Sequence, residues 1–502
     1  MMIENKNIGG LYKPLSDEQV ETIHNAALTV LEDVGITYTP DQIALIEELR
    51  IAGARIDRAE SRIRFDRKLI KQALSHAPDR LVLYSRNGKN DLDLYGDRVH
   101  FGTGGTTTTI LDMETGRCRP SSLDDVFQIA RLVERLSNID LFIRPCTPME
   151  LPEGVYDVNI CYAALKGTRK HVMLGIFDHK RVADVIDIAA MVARGMEKLQ
   201  EKPILSFYTS FGLSPLQQSH KPTRILYEAV TNRIPISVSS VPMAGTTGPI
   251  TIAGTLTLTH AEVMSGLVMA QLIQPGAPVL YGGLPSIADM QIANFAGGAM
   301  EAGIMNAAIH QLAQHIHIPN ASSCGLSDLK LPDSQASWES GMLLLAAALG
   351  GTNIIRHAGG GVLDQAMTVS LEQIVMNDEI IGRARRLIRG IDVDEAHIGL
   401  ETIKKVGPGG SFLDTDQTFA FMRSEYYLGN GMTNRDSRDK WVEAGSKDAA
   451  ERACEMVKKM LSETDETMIP EEIDRAIRQK YLVHMKSKTI IKIRTQPNAP
   501  LC

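Results

Sequence analysis

A chain of 502 residues, 44% apolar and 23% charged, has a globular composition and the length for one large fold with additions. Its net charge of -7, without a basic cluster, argues against nucleic acid or an anionic membrane surface as a partner. No run approaches the roughly 18 consecutive apolar residues of a membrane span, and Met1–Gly10 has no signal-peptide core, so a cytoplasmic protein is expected. The six cysteines (Cys118, Cys146, Cys161, Cys324, Cys454 and Cys502) show no paired spacing, which predicts reduced, mostly buried thiols.

In chain order, residues 1–98 read as a helical lead-in. Ser16 caps a helix with the apolar stripe Val20, Ile23, Ala27, Val30 and Leu31, and Gly35 ends it. A second helix follows Thr39-Pro40, carrying Ile43, Ile46 and Leu49, and a third covers about residues 68–75. The alternating segment 80–97 contains Asn87-Gly88, a hairpin signal.

Eight short apolar runs follow, each closing in a small, polar or glycine-rich tail: Val99–Thr103, Ile139–Pro145, His171–Phe177, Pro203–Thr209, Ile234–Ser240, Pro278–Gly282, Ile318–Ser323 and Asn353–His357. Amphipathic stretches long enough for helices separate them. The alternation predicts an α/β fold, a (β/α)8 TIM barrel over residues 99–390. Residues 391–502 read as a charged helical tail packing on the barrel or on a partner subunit. It is broken by the loop Gly407-Pro408-Gly409-Gly410, and Pro470 starts a new helix. Apolar positions left to bury in this tail suggest a homo-oligomer.

Such a barrel does its chemistry at the carboxyl ends of its strands. Those positions here are low in charge and rich in glycine, with aromatics on one wall. Gly359-Gly360-Gly361 admits a phosphate reading, but three glycines equally allow close approach to the backbone. His310, His315 and His317 fall at the end of a helix, on the wrong face for a catalytic metal. Cys324 with His357 makes only two ligands, so no bound metal is expected. No Gly-x-Ser-x-Gly elbow marks a nucleophile. Tyr208, Phe211, Tyr281 and Trp338 are candidates for an aromatic cage around a quaternary ammonium, and Arg356 and His357 for a carboxylate.

These residues point to a family. Ala27-x-x-Val30-Leu31-Glu32-Asp33-Val34-Gly35, Ala77-Pro78-Asp79 with Leu83-Tyr84-Ser85-Arg86, and Phe101-Gly102-Thr103-Gly104-Gly105 all contribute. The most specific piece is Val406-Gly407-Pro408-Gly409-Gly410-Ser411-Phe412-Leu413, followed by Thr418 and Met422-Arg423-Ser424-Glu425. Through them the whole chain resembles the trimethylamine methyltransferase family of corrinoid-dependent enzymes. Members acting on trimethylamine carry pyrrolysine near the segment after strand seven, whereas Cys324–Asp333 here holds only standard residues. Gln417 stands where histidine is expected in many relatives.

The resemblance thus implies the branch that demethylates quaternary amines. Glycine betaine is the first substrate to expect, with proline betaine, carnitine or another methylated amine as alternatives. The acceptor is a corrinoid (cobalamin) presented by a separate carrier protein, and no cofactor is bound tightly by the chain itself. The glycines Gly104, Gly105, Gly283, Gly359, Gly360 and Gly361 are expected to line the rim where the corrinoid approaches. Asp328 and Lys330, in the segment where pyrrolysine is expected, are candidates for ordering the site or touching substrate. No residue is required as acid, base or nucleophile. A betaine-binding protein that has lost turnover is the alternative from another class.

Overall fold

The computed structural model describes residues 8–463 and 468–485; Cys502 and the first seven residues lie outside them. The protein is a mixed α/β fold. Strands β1 (His100–Phe101), β2 (Leu141–Ile143), β3 (His171–Gly175), β4 (Leu205–Ser210), β5 (Ile236–Ser240), β6 (Val279–Gly283), β7 (Ala321–Ser323) and β8 (Ile354–Arg356) coincide with the eight apolar runs. Parallel pairing runs from β2 through β6 and from β7 to β8, and β8 pairs with β1. Single parallel bridges, Gly102 with Leu141 and Tyr281 with Asn320, join β1 to β2 and β6 to β7.

The helices that follow the eight strands, after α1 (Asp17–Thr29), are α2 (Leu123–Arg135), α3 (Tyr156–Gly167), α4 (Val182–Ala193), α5 (His220–Thr231), α6 (Ile252–Ile273), α7 (Met300–His315), α8 (Ser334–Gly350) and α9 (Leu371–Ile388). Capping boxes start α1 at Ser16 and α2 at Ser122, where side chain and backbone satisfy each other's free N–H groups. By length and composition α6 alone among the described helices could cross a membrane, a feature missed by a search for uninterrupted apolar runs. Most of it is buried instead, and its polar side chains are answered internally. Gln271 donates to the Ala277 carbonyl, and Glu262 accepts from the Leu216 amide and the Ser214 hydroxyl.

Two packed clusters hold the fold. The larger lies between strands and helices, and includes Val20 and Ile23 near the N-terminus and Val457, Leu461 and Ile477 near the C-terminus. The smaller lies on the opposite face of the strands. There Leu141, Ile143, Met173, Leu280, Ala321 and Ile354 meet four leucines of the hairpin Leu81–Leu83/Leu92–Leu94. Tyr84 donates to the Pro203 carbonyl and Arg86 to the Arg169 carbonyl, just before β4 and β3. The hairpin therefore caps the N-terminal ends of the strands. The lead-in is also less purely helical than its periodicity suggests: Ile36–Thr37 pairs with Arg62–Arg64 and with Gln217 of the loop after β4. Sequence-distant pairing of this kind leaves no local signal.

At that same end His310 is 2% exposed, bonded to Asp97 at 2.8 Å and Asn320 at 2.9 Å, so it is a buried structural residue and not a surface one. A second histidine chain clasps α1 to the strands. His24 Nδ1 lies 2.9 Å from His260 Nε2, and His260 Nδ1 lies 3.0 Å from the Tyr281 hydroxyl.

Two outcomes follow from this packing. Leu83, fully buried, leaves a cavity when cut to alanine, and Leu83→Ala should cost about 2–5 kcal/mol in denaturant unfolding. Burial, then the facing His315, lowers the His24 pKa from 6.5 to about 4. The fold favours neutral His24, so this contribution is complete above pH 6.5 and is lost as pH falls toward 4. A His24→Gln variant should show a flatter acid limb in thermal midpoint against pH; an identical limb contradicts the clasp.

Candidate active site

The carboxyl ends of the strands carry an alternating stack of aromatic rings and guanidinium groups. Arg144, directly after β2, places its Cζ 4.1 Å from the ring centroid of Phe177, which follows β3. Its Nη2 donates to the Tyr208 hydroxyl of β4 at 3.3 Å. Arg356, the last residue of β8, lays its guanidinium 4.2 Å over the Tyr208 ring and donates through Nη1 to Ser239 of β5 at 3.2 Å. One side chain thus reaches from β8 to β4 and β5. Arg144 and Arg356 are 4% and 5% exposed, and among the described residues no carboxylate pairs with either. Arg144 Nε and Nη1 and Arg356 Nε are buried without a hydrogen-bond partner. Burial, with Arg144 nearby, pulls the Arg356 pKa below its ordinary value.

Glycines make the stack possible. A Cβ on Gly175 of β3 would lie 2.6 Å from Tyr208 Cζ, and one on Gly282 of β6 would lie 2.5 Å from Ser239 Oγ. Neither ring nor hydroxyl fits beside a larger residue. His357 turns the chain out of β8 in a left-handed conformation, φ 69°, and its Nδ1 sits 2.6 Å from Ser323 Oγ. Burial, then Arg356, drives its pKa from 6.5 to about 3, so its ring is neutral at physiological pH.

The structure brings together only part of the predicted set. Tyr208, Arg356 and His357 meet at the strand ends. Tyr281 is corrected: it is fully buried on the helix side of β6, its hydroxyl bound to His260, and offers no face to a ligand. Phe211 is corrected likewise, being 4% exposed and packed toward α6, where a Cβ on Gly266 would lie 3.0 Å from its ring. Trp338 is 56% exposed on α8 and makes no contact with the stack.

The glycine rim is corrected too. Gly104, Gly283, Gly359, Gly360 and Gly361 are buried, with no surface on which a macrocycle could lie. They serve close packing: an added Cβ would lie 2.9 Å from His357 at Gly104, 2.7 Å from Ile309 at Gly283 and 2.5 Å from Ile139 at Gly359. At Gly360 it would lie 2.7 Å from the Gly104 carbonyl, and at Gly361 2.7 Å from Ile374. Gly105 is half-buried against the Pro145 carbonyl.

Asp328 and Lys330 are bonded to neighbouring loops. Asp328 accepts from the Gly297 and Gly298 amides at 2.8 and 3.1 Å, while exposed Lys330 donates to the Asp328 carbonyl and lies 3.6 Å from Asp364. Glu339 accepts from the Ser327 hydroxyl and the Asp328 amide. The loop after β7 is therefore shaped by Asp328 from within and by Glu339 of α8.

Sequence reasoning missed Arg144, Phe177, Ser239 and Gly175. Arg144 stands just past the end of its strand, where the fold puts function, but falls inside the apolar run Ile139–Pro145. Glu150 proves to accept from the Leu123 amide at the start of α2. Other features lie elsewhere. A cavity of about 350 Å³ lined by Lys13, Asp97, His310 and Gln314 sits at the opposite end, beside the hairpin. Asp392, His397 and Glu425 could jointly meet an ion, but Arg389 already lies 3.9 Å from Asp392 and 3.3 Å from Glu425.

The sequence is similar to known methyltransferases along nearly its whole length. A profile of the trimethylamine methyltransferase (MTTB) family matches residues 3–489. A trimethylamine methyltransferase of Desulfitobacterium hafniense (strain DSM 10664 / DCB-2) is 33% identical over 463 residues, 92% of each chain. A glycine betaine methyltransferase of Desulfitobacterium hafniense (strain Y51) is 32% identical, covering 86% of this chain and 88% of its own. A trimethylamine methyltransferase of Methanosarcina barkeri (strain Fusaro / DSM 804) is 32% identical, covering 91% and 92%. Among solved structures, a dihydropteroate synthase of Coxiella burnetii aligns with a TM-score of 0.40 at 10% identity, over 62% of this chain and 100% of its own.

The lodging of Tyr208 against Gly175 is directly testable. Gly175→Ala forces the ring to move and should lower the unfolding free energy by about 1–3 kcal/mol in denaturant titration. An unchanged midpoint contradicts the close approach.

Proposed function

We propose, for a chain that belongs to the trimethylamine methyltransferase family and is therefore a methyltransferase, that the methyl donor is a quaternary amine and the acceptor the Co(I) corrinoid of a separate carrier protein. Glycine betaine is the first substrate to test, supported by the name of one relative; proline betaine and carnitine follow it. The proposed scaffold is a (β/α)8 barrel whose mouth is the strand-end stack, with residues 391–502 as a C-terminal extension.

The observation that carries the donor class is the loop after β7. The acids in and against that loop are engaged in local structure, Asp328 with two backbone amides, Asp333 with the amides that start α8, and Glu339 of α8 with Ser327 and Asp328. His357 is neutral and holds Ser323. This leaves no unengaged carboxyl in that loop for an amine, and a tertiary amine needs protonation or adduct formation before a methyl can leave. A quaternary ammonium needs neither. Its C–N bond breaks with the electron pair staying on nitrogen, and the leaving group is a neutral tertiary amine. A bound corrinoid supplies the nucleophile, a Co(I) centre able to attack the methyl carbon in line. The task left to this chain is to hold the cation by its far end, point one methyl outward and exclude water. A tight anionic grip on nitrogen would oppose the reaction, because the positive charge there falls on the way to the transition state.

Docking of a carrier fits the surface better than the glycine rim does. The loops after β2, β4, β5, β6 and β8 expose Met149, Leu213, Ile250, Met290, Ile292 and Met367. Apolar side chains grouped around a mouth suit a protein partner. Residues 391–428 expose further apolar groups, among them Ile391, Leu413, Phe419 and Tyr426, which supports burial against another subunit.

Anaerobic mixing of the protein with Co(I) cobalamin or its carrier and each candidate amine tests this function. Loss of the Co(I) absorption with matching release of dimethylglycine from glycine betaine is the expected result. Consumption of Co(I) by trimethylamine and by no quaternary amine would contradict the donor class.

A further inference from the structure

Two guanidinium groups at the mouth form no ion pair among the described residues. Arg144 and Arg356 are more than nine-tenths buried, reach Tyr208 from the ends of β2 and β8, and make no ion pair with a carboxylate among the described residues; the acid whose charge acts on Arg144, Asp157, is itself bonded to the Phe177 and Asp178 amides. Three of their N–H-bearing nitrogens are buried without a partner. Polar atoms so placed are normally satisfied, and removing a guanidinium from water without a counter-charge is costly. What the surroundings provide is orientation. Phe177 and Tyr208 stack on the two guanidinium planes, and Ser239 fixes Arg356 by one hydrogen bond. None of the three neutralises charge.

We infer that Arg144 and Arg356 form a carboxylate subsite spanning Tyr208, and that Arg144 is a specificity-determining residue which restricts this enzyme to methylated amines that carry a carboxylate. The reading rests on the proposed methyl transfer from a quaternary amine and names the class within it.

The chemistry runs as follows. A guanidinium presents its N–H groups in a planar fork matched to carboxylate, and the two forks here have donors to spare. A bare ammonium such as trimethylammonium or choline meets two like charges and brings no anion to offset them. A betaine supplies the missing anion. With its carboxylate held inward by the arginines, its ammonium is set outward toward the mouth, past the 39% exposed Phe177 and away from both guanidinium groups. The same arrangement takes Tyr208 out of the ammonium cage: Arg356 already covers one ring face, and Arg144 uses its hydroxyl.

Calorimetric titration of the full-length protein, without any corrinoid, tests the subsite apart from turnover. The probes are glycine betaine, choline (a hydroxymethyl group in place of the carboxylate), acetate and inorganic phosphate. Glycine betaine should bind at least about a hundredfold more tightly than choline, and acetate should compete with it better than phosphate does. Arg144→Lys keeps the charge but loses the fork, and should weaken glycine betaine about thirtyfold while leaving choline unchanged. Arg144→Met should abolish the preference and leave the thermal midpoint of the ligand-free protein equal or higher, because an unpaired buried charge is gone; a purely structural arginine would lower it.

Equal affinity for choline, or full glycine betaine affinity in both variants, overturns the inference. So does phosphate competing better than acetate. Arginine-dependent betaine binding without Co(I) consumption would leave the subsite standing and remove the methyl transfer. Equal Co(I) consumption with choline and glycine betaine would do the reverse.

Discussion

The cationic stack of Arg356 on Tyr208 is the constraint around which the strand ends are arranged. Its ring face is open to Arg356 only because β3 has glycine at 175, and the bond from Arg356 to Ser239 exists only because β6 has glycine at 282. Arg144 completes the arrangement from β2, pressed between Phe177 and the Tyr208 hydroxyl. Four strands and two glycines thus hold two positive charges in a nearly closed space. The hydrophobic packing below makes this sustainable: Leu141, Ile143, Met173, Leu280, Ala321 and Ile354 close on the leucines of the hairpin and anchor the strands from the other end.

Charge placement also explains what the site does without. Several acids close to the strand ends, among them Glu150, Asp157, Asp178 and Asp328, accept from backbone amides, so they shape loops and form no ion pair with either arginine. His357, kept neutral by burial, adds no third charge. A methyltransferase whose donor already carries full positive charge on nitrogen needs orientation and dryness more than proton transfer, and the stack offers both.

Periodicity made the eight strands, the hairpin, the capped lead-in helix and the helix after Pro470 legible, because each depends on spacing within one segment. The site was legible only where one residue announces itself at a strand end, as Tyr208 and Arg356 do. Tyr281 and Phe211 look identical to Tyr208 in composition, yet they face the helices, since adjacent positions on a strand point to opposite sides. The glycines at 359–361 read as a rim for a ligand but serve close backbone packing. Arg144 was hidden inside an apolar run that extends two residues past the end of β2, and its pairing with Tyr208 joins positions 64 residues apart. Such partnerships are set by tertiary register, which no local pattern encodes.

A crystal structure of the protein with glycine betaine bound tests the central claim most directly. The account predicts the carboxylate within hydrogen-bond distance of both Arg144 and Arg356, and the trimethylammonium group directed outward past Phe177. A betaine bound with its ammonium against Tyr208 and its carboxylate in solvent, or seated away from both arginines, would contradict it.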